Sequence, residues 1–227
     1  MIGEYQLYRV KTFFKNYKKY KNIVKKYNIK FSHWYKHYEF IENPEMYLKY
    51  IPKLNETIVD IGSQYGDYDI LWNKLFNSNV ISIEALEKNY KELIKDIKLN
   101  NSNITALNYI VGDGNIIISN IKGNMLNKAD IGNLYTSKKL DEILNVNKID
   151  ILKIDVEGFE YEVLVGSINT INKFKPRIII ETHNEKLFDK CFDFLTKINY
   201  KLDFANKNFN RIGIETEHIN CFYKSVI

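Results

Sequence analysis

The chain has 227 residues, of which 45% are apolar and 27% charged, and its net charge is +5. These proportions fit one globular domain with a real core, and no apolar run approaches the roughly 18 to 20 residues of a membrane span. The amino terminus lacks the apolar segment and small-residue cleavage site of a secretory signal, and Cys191 and Cys221 are too far apart for a metal motif. These features argue against a disulfide-rich secreted domain and predict a cytoplasmic protein.

The basic charge is concentrated at the amino terminus. Residues 1–38 hold ten Lys/Arg and one acid, a net charge of +9, which leaves −4 for the rest of the chain. This asymmetry predicts an anionic partner, such as RNA, an acidic glycan or a lipid headgroup. The alternative is a solvated helix face with no partner.

The first predicted element is an amphipathic helix over residues 4–27. Apolar side chains recur there at spacings of three and four, with lysines between them. Packing on the body of the protein is the expected use of this apolar stripe. Asn43 and Pro44 then resemble a helix start. The sequence therefore divides into a basic, aromatic-rich helical extension, residues 1–50, and a domain over 51–227.

From residue 57 onward, short apolar strands alternate with amphipathic helices. Strands are predicted at 57–62, 80–83, 104–111, 116–118, 149–155, 177–181, 200–204 and 220–224. Helices are predicted at 68–76, 88–99, 140–144, 159–171 and 185–198. This alternation is typical of an α/β fold with a parallel sheet covered on both faces. Ligands of such sheets bind at the carboxyl ends of the strands, near the switch in strand order.

The first strand–helix turn carries two glycines, Gly62 and Gly66, between the acids Asp60 and Asp67. The glycines permit a tight turn and a close approach of a ligand. The third glycine of a dinucleotide fingerprint is absent, and the acidic flanks disfavour a pyrophosphate. A cationic or zwitterionic ligand suits this loop better. A purely structural turn is the alternative.

The second strand ends in Glu84, 22 residues after Gly62. A carboxylate about 20 residues past the glycine loop accepts hydrogen bonds from ribose hydroxyls in Rossmann-like sites. Together the two features indicate an adenosyl ligand without pyrophosphate, and S-adenosylmethionine fits. The predicted cofactor-binding residues are Asp60, Gly62, Gln64, Gly66, Glu84 and Asp113. Asp113, after the third strand, is expected to meet the adenine amino group, or else is an ordinary turn acid.

The stretch from Lys153 to Glu160 reads KIDVEGFE and follows a buried strand. Asp155 and Glu157 are expected at the carboxyl edge of the sheet, beside the cofactor. Lys153 is expected to pair with a carboxylate on a neighbouring strand, because an unpaired buried charge is costly. Glu160 falls in the first turn of the next helix, where the helix dipole favours an acid, and is interpreted as structural.

The next strand end brings Glu181 and His183 to the same edge. Where an acceptor group must lose a proton near the moment of attack, a nearby base assists the reaction. Asp155, Glu157 and His183 are the candidate catalytic residues, with His183 as base or substrate contact. A divalent metal at the two carboxylates is a further alternative, but the sequence shows no complete ligand set and no metal ligand is assigned.

Taken together, these motifs resemble the FkbM family of S-adenosylmethionine-dependent methyltransferases. The resemblance covers about residues 55–205 and rests on Val59 to Gly62 with Gly66, Ile83-Glu84, Leu140 to Ile143, Lys153 to Gly158 running to Gly166, and Pro176 to Glu181. It implies a class I methyltransferase (Rossmann-like) fold, with a mostly parallel seven-stranded sheet and helices on both faces. It also implies O-methylation of a hydroxyl on a sugar, glycan or small metabolite by in-line transfer. The sequence departs from the family pattern at Ser63, Gln64 and Ala85.

Two other functions remain open. An RNA methyltransferase would use the basic extension to hold phosphates and its aromatic side chains to stack on bases. However, the chain lacks the Asn/Asp-Pro-Pro-aromatic motif that amino-group methyltransferases of nucleic acids use. A non-catalytic protein that binds S-adenosylmethionine is the second alternative.

Overall fold

The computed structural model describes residues 21–32, 51–122, 125–128, 133–209 and 215–226. Of the predicted amino-terminal helix, residues 21–27 fall in these ranges; residues 21–26 are helical and Tyr27 is in a turn. The predicted helix start at Asn43 lies outside the described residues. Ile23, Val24 and the buried Ile29 pack against the first helix of the domain, so this part of the extension docks on the body.

A seven-stranded sheet forms the centre of the molecule. Its strands are β1 (Thr57–Ile61), β2 (Asn79–Ile83), β3 (Ile104–Leu107), β7 (Ile151–Ile154), β8 (Arg177–Thr182), β9 (Tyr200–Phe209) and β10 (Glu215–Ser225). The strand order is β3-β2-β1-β7-β8-β10-β9. The first five strands run parallel, and β10 is antiparallel to both of its neighbours. The predicted mostly parallel, seven-stranded sheet is therefore confirmed.

Six helices lie along the described domain: α1 (Asp67–Phe76), α2 (Glu87–Asn100), α3 (Leu140–Ile143), α4 (Glu160–Gly166), α5 (Ile168–Phe174) and α6 (Glu185–Lys197). Alternating strand residues bury against two different helix layers. Leu152 and Ile154 join the cluster that contains side chains of α4, α5 and α6. Ile151 joins a second cluster with Tyr68 and Trp72 of α1. Helices thus cover both faces of the sheet, as predicted.

The strand order reverses between β1 and β7. The chain proceeds from β1 through β2 to β3 on one side, and from β7 to β8 on the other. Ile61 pairs with Ile83 of β2 and with Ile154 of β7, so the carboxyl ends of these three strands lie side by side. Polar residues that follow them converge at this switch point.

Three local features differ from the predictions. The third strand ends at Leu107 instead of residue 111. The segment after it forms a separate three-stranded sheet, whose strands are β4 (Ile116–Lys122), β5 (Met125–Lys128) and β6 (Asn133–Thr136). The predicted helix over 159–171 is interrupted between α4 and α5. At the break, Ser167 donates from its Oγ to the Val163 carbonyl, and Gly166 lies so close to the Gly112 carbonyl that a Cβ would sit 1.8 Å from its oxygen.

In the described ranges, no helix is both long and apolar enough to cross a membrane.

Candidate functional site

An open cleft lies at the switch point. Its walls come from the β1–α1 turn, the end of β2, the segment after β3 and the segment after β7. Among the lining residues are Asp60, Gly62, Gln64, Glu84, Asp155 and Glu157. Six of the nine residues predicted for cofactor binding and catalysis therefore share one cleft.

Packing within the protein explains both glycines of the β1–α1 turn. Gly62 has a φ of +85°, and a Cβ on it would lie 1.7 Å from the carbonyl oxygen of Asp155. Gly66 precedes α1 with a φ of +77°, and a Cβ there would lie 2.3 Å from Cδ1 of Leu93. These contacts account for the tight turn that the sequence predicted, and the close approach of a ligand stays a prediction. The glycines let the turn pack against the end of β7 and against α2.

Glu84 is held firmly in the cleft wall. Its Oε2 accepts a hydrogen bond from the backbone N–H of Gln64 (2.9 Å), and its Oε1 accepts one from the N–H of Leu86 (2.8 Å). Gln64 has a φ of +50°, a conformation unusual for a residue with a side chain. Burial raises the pKa of Glu84 to about 7, although the hydrogen bonds from Leu86 and Gln64 oppose that rise. The carboxylate is therefore fixed in place but incompletely compensated for its lost hydration.

A buried ion pair links β1 to β7. Lys153 Nζ lies 3.0 Å from Oδ1 of Asp60, its partner in the strand register, and both side chains are at most 5% exposed. The same Nζ lies 3.7 Å from Oδ2 of Asp155. Burial alone would lower the pKa of Lys153, but the negative charges of Asp60 and Asp155 raise it above its usual range. The predicted pairing of Lys153 with a neighbouring strand is confirmed.

Helix α1 adds a carboxyl group that sequence reasoning missed. Asp60 and Ser82 occupy paired positions on neighbouring strands, and Ser82 Oγ donates to Oδ2 of the fully buried Asp69. Burial and the nearby charge of Asp60 raise the pKa of Asp69 well above its usual value, which favours its protonated form. No local signal identified Asp69, because its contacts depend on how α1 lies on the sheet.

A second polar cluster forms where β7 and β8 end. We call it the carboxylate–histidine cluster and define it as Asp155, Glu157, Glu160 and His183. Nδ1 of His183 lies 2.9 Å from Oε1 of Glu160, and its Nε2 lies 3.2 Å from Oε2 of Glu157 and 3.9 Å from Oδ1 of Asp155. The His183 side chain is 10% exposed and that of Glu160 is fully buried. The cluster borders the cleft through Asp155 and Glu157.

The contacts within the cluster favour the positively charged form of His183 and the negatively charged form of Glu157. Burial alone would lower the pKa of His183, but hydrogen bonds with Glu157 and Glu160 raise it to about 11. Burial alone would raise the pKa of Glu157, but the hydrogen bond and charge of His183 lower it. The imidazole therefore carries a proton at neutral pH and bonds to carboxylates through both nitrogens.

The backbone after β7 places Glu157 at the cleft. Glu157 and Gly158 both adopt left-handed conformations, with φ of +55° and +101°. Such a conformation costs a residue with a side chain roughly 1–2 kcal/mol. The Gly158 N–H donates to Oε1 of Glu160 (2.9 Å), which helps to hold this turn. Glu160 is thus structural, as predicted, and it also orients His183, a contact that the sequence did not reveal.

The remaining predicted residues lie beside the cleft or away from it. Gly66 lies at the start of α1, and His183 adjoins the cleft through Glu157. Asp113 is not among the residues that line the cleft, and its carboxylate accepts from the backbone N–H (3.0 Å) and side-chain Nδ2 (2.7 Å) of Asn115. These contacts fit the alternative interpretation, a turn acid. Residues that sequence reasoning missed along the cleft include Asn89, Tyr109, Ile110, Val111 and Phe159.

Several solved structures with the same architecture are methyltransferases. The precorrin-6y C5,15-methyltransferase of Geobacter metallireducens aligns with a TM-score of 0.53 at 12% identity, over 81% of this chain and 86% of its own. The tRNA (m1A22) methyltransferase Sp1610 of Streptococcus pneumoniae, a putative assignment, aligns with a TM-score of 0.56 at 12% identity, over 81% and 69%. These likenesses establish the class I methyltransferase fold.

The comparison with protein families gives a more specific assignment than the fold does. Residues 60–202 match the methyltransferase FkbM domain, which is more than half of the chain. This protein belongs to the FkbM methyltransferase family. The FkbM methyltransferase of Methylobacillus flagellatus aligns with a TM-score of 0.56 at 16% identity, over 88% of this chain and 58% of its own. No curated protein sequence matches the chain.

Proposed function

We propose that the protein is an S-adenosylmethionine-dependent O-methyltransferase that acts on a hydroxyl of a sugar, glycan or small metabolite. One observation carries this proposal: a single open cleft is bordered by the fixed Glu84 carboxylate and by Asp155 and Glu157. Glu84 suits a ribose, and the other two carboxylates suit a hydroxyl that must give up its proton. Membership of the FkbM family supports the reaction class.

The residues along the β1 and β2 ends fit the cofactor. S-adenosylmethionine supplies an activated methyl group on a positively charged sulfonium. Glu84, whose pKa is raised by burial, would accept from the ribose hydroxyls. The apolar Leu86, Ile110 and Val111 border the same cleft and would flank a base ring. The surplus of carboxylates over Lys153 in the cleft lining favours a cationic ligand.

Asp155 and Glu157 would hold the acceptor. Their side chains are 21% and 29% exposed, so each can accept a hydrogen bond from a hydroxyl in the cleft. One of them would take the hydroxyl proton, while His183 fixes the carboxylate of Glu157. Orientation of this kind can supply up to roughly 7–11 kcal/mol of the barrier, and a positioned base typically adds a factor of about 10²–10⁴.

The charge of the acceptor wall favours a neutral substrate over RNA. Without a bound cation, the cleft carboxylates of Asp155 and Glu157 outnumber the protonated His183 beside them and would repel a phosphodiester placed near them. The basic segment 1–38, on which the RNA alternative depends, lies mostly outside the described residues. The test below must therefore also detect methylation of RNA.

The proposal is tested by transfer of a radiolabelled methyl group to size-fractionated cell extract. We expect label in small metabolites or glycans that resists ribonuclease, and a loss of at least about 100-fold in Glu157→Gln. Asp203→Asn changes an acid on the edge strand β9, outside the cleft lining, and is the matched control that should label normally. Label in a ribonuclease-sensitive fraction would support the RNA alternative instead. Cofactor binding without any labelling would support a non-catalytic protein.

A further inference from the structure

We propose that Asp155, Glu157 and His183 form a binding site for a divalent cation of the magnesium or manganese type, on the acceptor wall of the cleft. The role of the ion in catalysis rests on the proposed function, whereas its binding does not. One oxygen from each carboxylate and one ring nitrogen lie within 4.8 Å of one another. The three residues come from the ends of two adjacent strands, β7 and β8.

The distances suit a shared ion. Nε2 of His183 lies 3.2 Å from Oε2 of Glu157 and 3.9 Å from Oδ1 of Asp155. In an octahedral site with bonds of about 2.1 Å, adjacent ligand atoms lie about 3.0 Å apart and opposite ones about 4.2 Å apart. The spacing therefore needs only small side-chain rotations. An ion in this position would replace the Nε2 proton that now bonds to Glu157.

Glu160 supplies the support that a metal-bound imidazole requires. Histidine ligands almost always donate their second ring N–H to a carboxylate or carbonyl, which fixes the ring and its tautomer. Here the fully buried Glu160 lies 2.9 Å from Nδ1 of His183, and Glu160 is itself held by the Gly158 N–H. This arrangement leaves Nε2 as the nitrogen that faces Asp155 and Glu157. An imidazole held in this way distinguishes the site from an ordinary cluster of surface acids.

The charge balance also favours an ion. Three carboxylates, those of Asp155, Glu157 and Glu160, surround one imidazole. The nearby Lys153 is shared, because it lies closer to Asp60 (3.0 Å) than to Asp155 (3.7 Å). A divalent cation would compensate this excess of negative charge at a partly buried position.

A neighbouring set of residues offers a second geometry, which we reject. Glu181, His183 and His218 also bring ligand atoms within 4.8 Å of one another. That set must share His183, whose Nδ1 faces Glu160 and whose Nε2 faces the cleft carboxylates. His218 instead lies 3.1 Å from Glu181 through Nδ1, with its ring centroid 4.4 Å from that of His183.

The composition of the site indicates the ion and its role. Carboxylate oxygens suit magnesium and manganese, and manganese also accepts imidazole. Three protein ligands leave coordination positions on the side of the cleft, which an acceptor hydroxyl can occupy, alone or with a second oxygen of a vicinal diol. A bound cation lowers the pKa of such a hydroxyl. The proton would pass to the carboxylate oxygen of Asp155 or Glu157 that does not bind the ion.

The site is tested with Mn²⁺ as the probe, by calorimetry and electron paramagnetic resonance on the full chain. We expect one Mn²⁺ site with a nitrogen coupling from the imidazole in pulsed spectra. Asp155→Asn, Glu157→Gln and His183→Ala should each weaken Mn²⁺ binding at least about 10-fold, and Glu160→Gln should weaken it about 10- to 100-fold. Asp203→Asn should bind Mn²⁺ like the parent.

Three results would overturn the assignment: no Mn²⁺ binding at millimolar ion, binding without a nitrogen coupling, or binding that survives Glu157→Gln but is lost in Glu181→Gln. Binding of S-adenosylmethionine, measured on the same variants, checks that they are folded. It also separates the two proposals. Failure of the parent to bind S-adenosylmethionine refutes the proposed function and leaves the Mn²⁺ result standing.

Discussion

Replacing Lys153 with methionine tests the buried ion pair that connects the two walls of the cleft. Lys153 and Asp60 are 5% and 2% exposed and lie 3.0 Å apart, so the substitution leaves a carboxylate buried without its cation. Removing one partner of such a pair typically costs about 3–5 kcal/mol of the free energy of unfolding. Methionine nearly matches lysine in length, so the cost reflects lost charge compensation more than a cavity. We expect Lys153→Met to lose about 3–5 kcal/mol near pH 8.

The cost should fall as the pH falls. In the parent, the raised pKa of Lys153 means that its stabilising contribution is fully present below the unfolded lysine pKa of about 10.4. It is therefore constant between about pH 5 and pH 8. In Lys153→Met, burial should raise the pKa of Asp60, so stability is greatest when that carboxyl is protonated and is lost as the pH rises. The difference between parent and variant should shrink toward about pH 5.

Urea unfolding followed by tryptophan fluorescence, at both pH values, measures the difference. The double variant Asp60→Asn/Lys153→Met should recover most of the loss, because it removes the stranded charge. Lys224→Met is the matched control, since the exposed pair of Lys224 and Asp203 at 2.9 Å contributes at most about 1 kcal/mol. A loss in Lys153→Met below about 1 kcal/mol, or one that is independent of pH, would show that the buried ion pair does not stabilise the fold in this way.

Three further predictions follow from the site and the core. Burial raises the pKa of Glu84 to about 7, and in the proposed function its ionised carboxylate would accept from the ribose hydroxyls. Affinity for S-adenosylmethionine, measured by calorimetry, should therefore fall about tenfold from about pH 8 to about pH 6, and Glu84→Gln should show no such dependence. Gly62→Ala should lower the free energy of unfolding in urea by at least about 2 kcal/mol, because its Cβ would lie 1.7 Å from a backbone carbonyl oxygen. Gly158→Ala has no atom within 4 Å of its Cβ and should lose only the cost of its positive φ, so equal losses in the two variants would contradict this prediction. Cys191 and Cys221 are buried, and burial raises the pKa of both thiols, that of Cys221 to about 12. Both should therefore react with Ellman's reagent only after unfolding, and fast reaction of the native protein would contradict their burial.

Much of the sheet was predictable because its strands are short, unbroken apolar runs between helices. The same logic predicted that Lys153 would find a carboxylate on a neighbouring strand, since a buried ammonium needs one. The strand-end rule likewise brought Glu84, Asp155 and Glu157 to one cleft, because all three follow parallel strands whose carboxyl ends meet there.

The parts that were not predictable depend on contacts between distant segments. Asp69 lies within a helix, and only the placement of α1 on the sheet brings it to Ser82. Glu160 resembled a helix-start acid, and its contact with His183 requires β7 and β8 to be adjacent. The sequence left two interpretations of Asp113 open, and the hydrogen bonds of its carboxylate with Asn115 fit the turn acid, while contact with the adenine stays a prediction.

The central claim is that the cleft between β1, β2 and β7 holds S-adenosylmethionine, and calorimetric titration of the full chain with this cofactor near pH 8 tests it most directly. We expect a single saturable site, weakened at least about tenfold in Glu84→Ala, since hydrogen bonds to a charged group contribute about 1.5–3 kcal/mol each. Asp203→Asn should bind like the parent. An absence of binding, or a Glu84→Ala variant indistinguishable from the parent, would contradict the account.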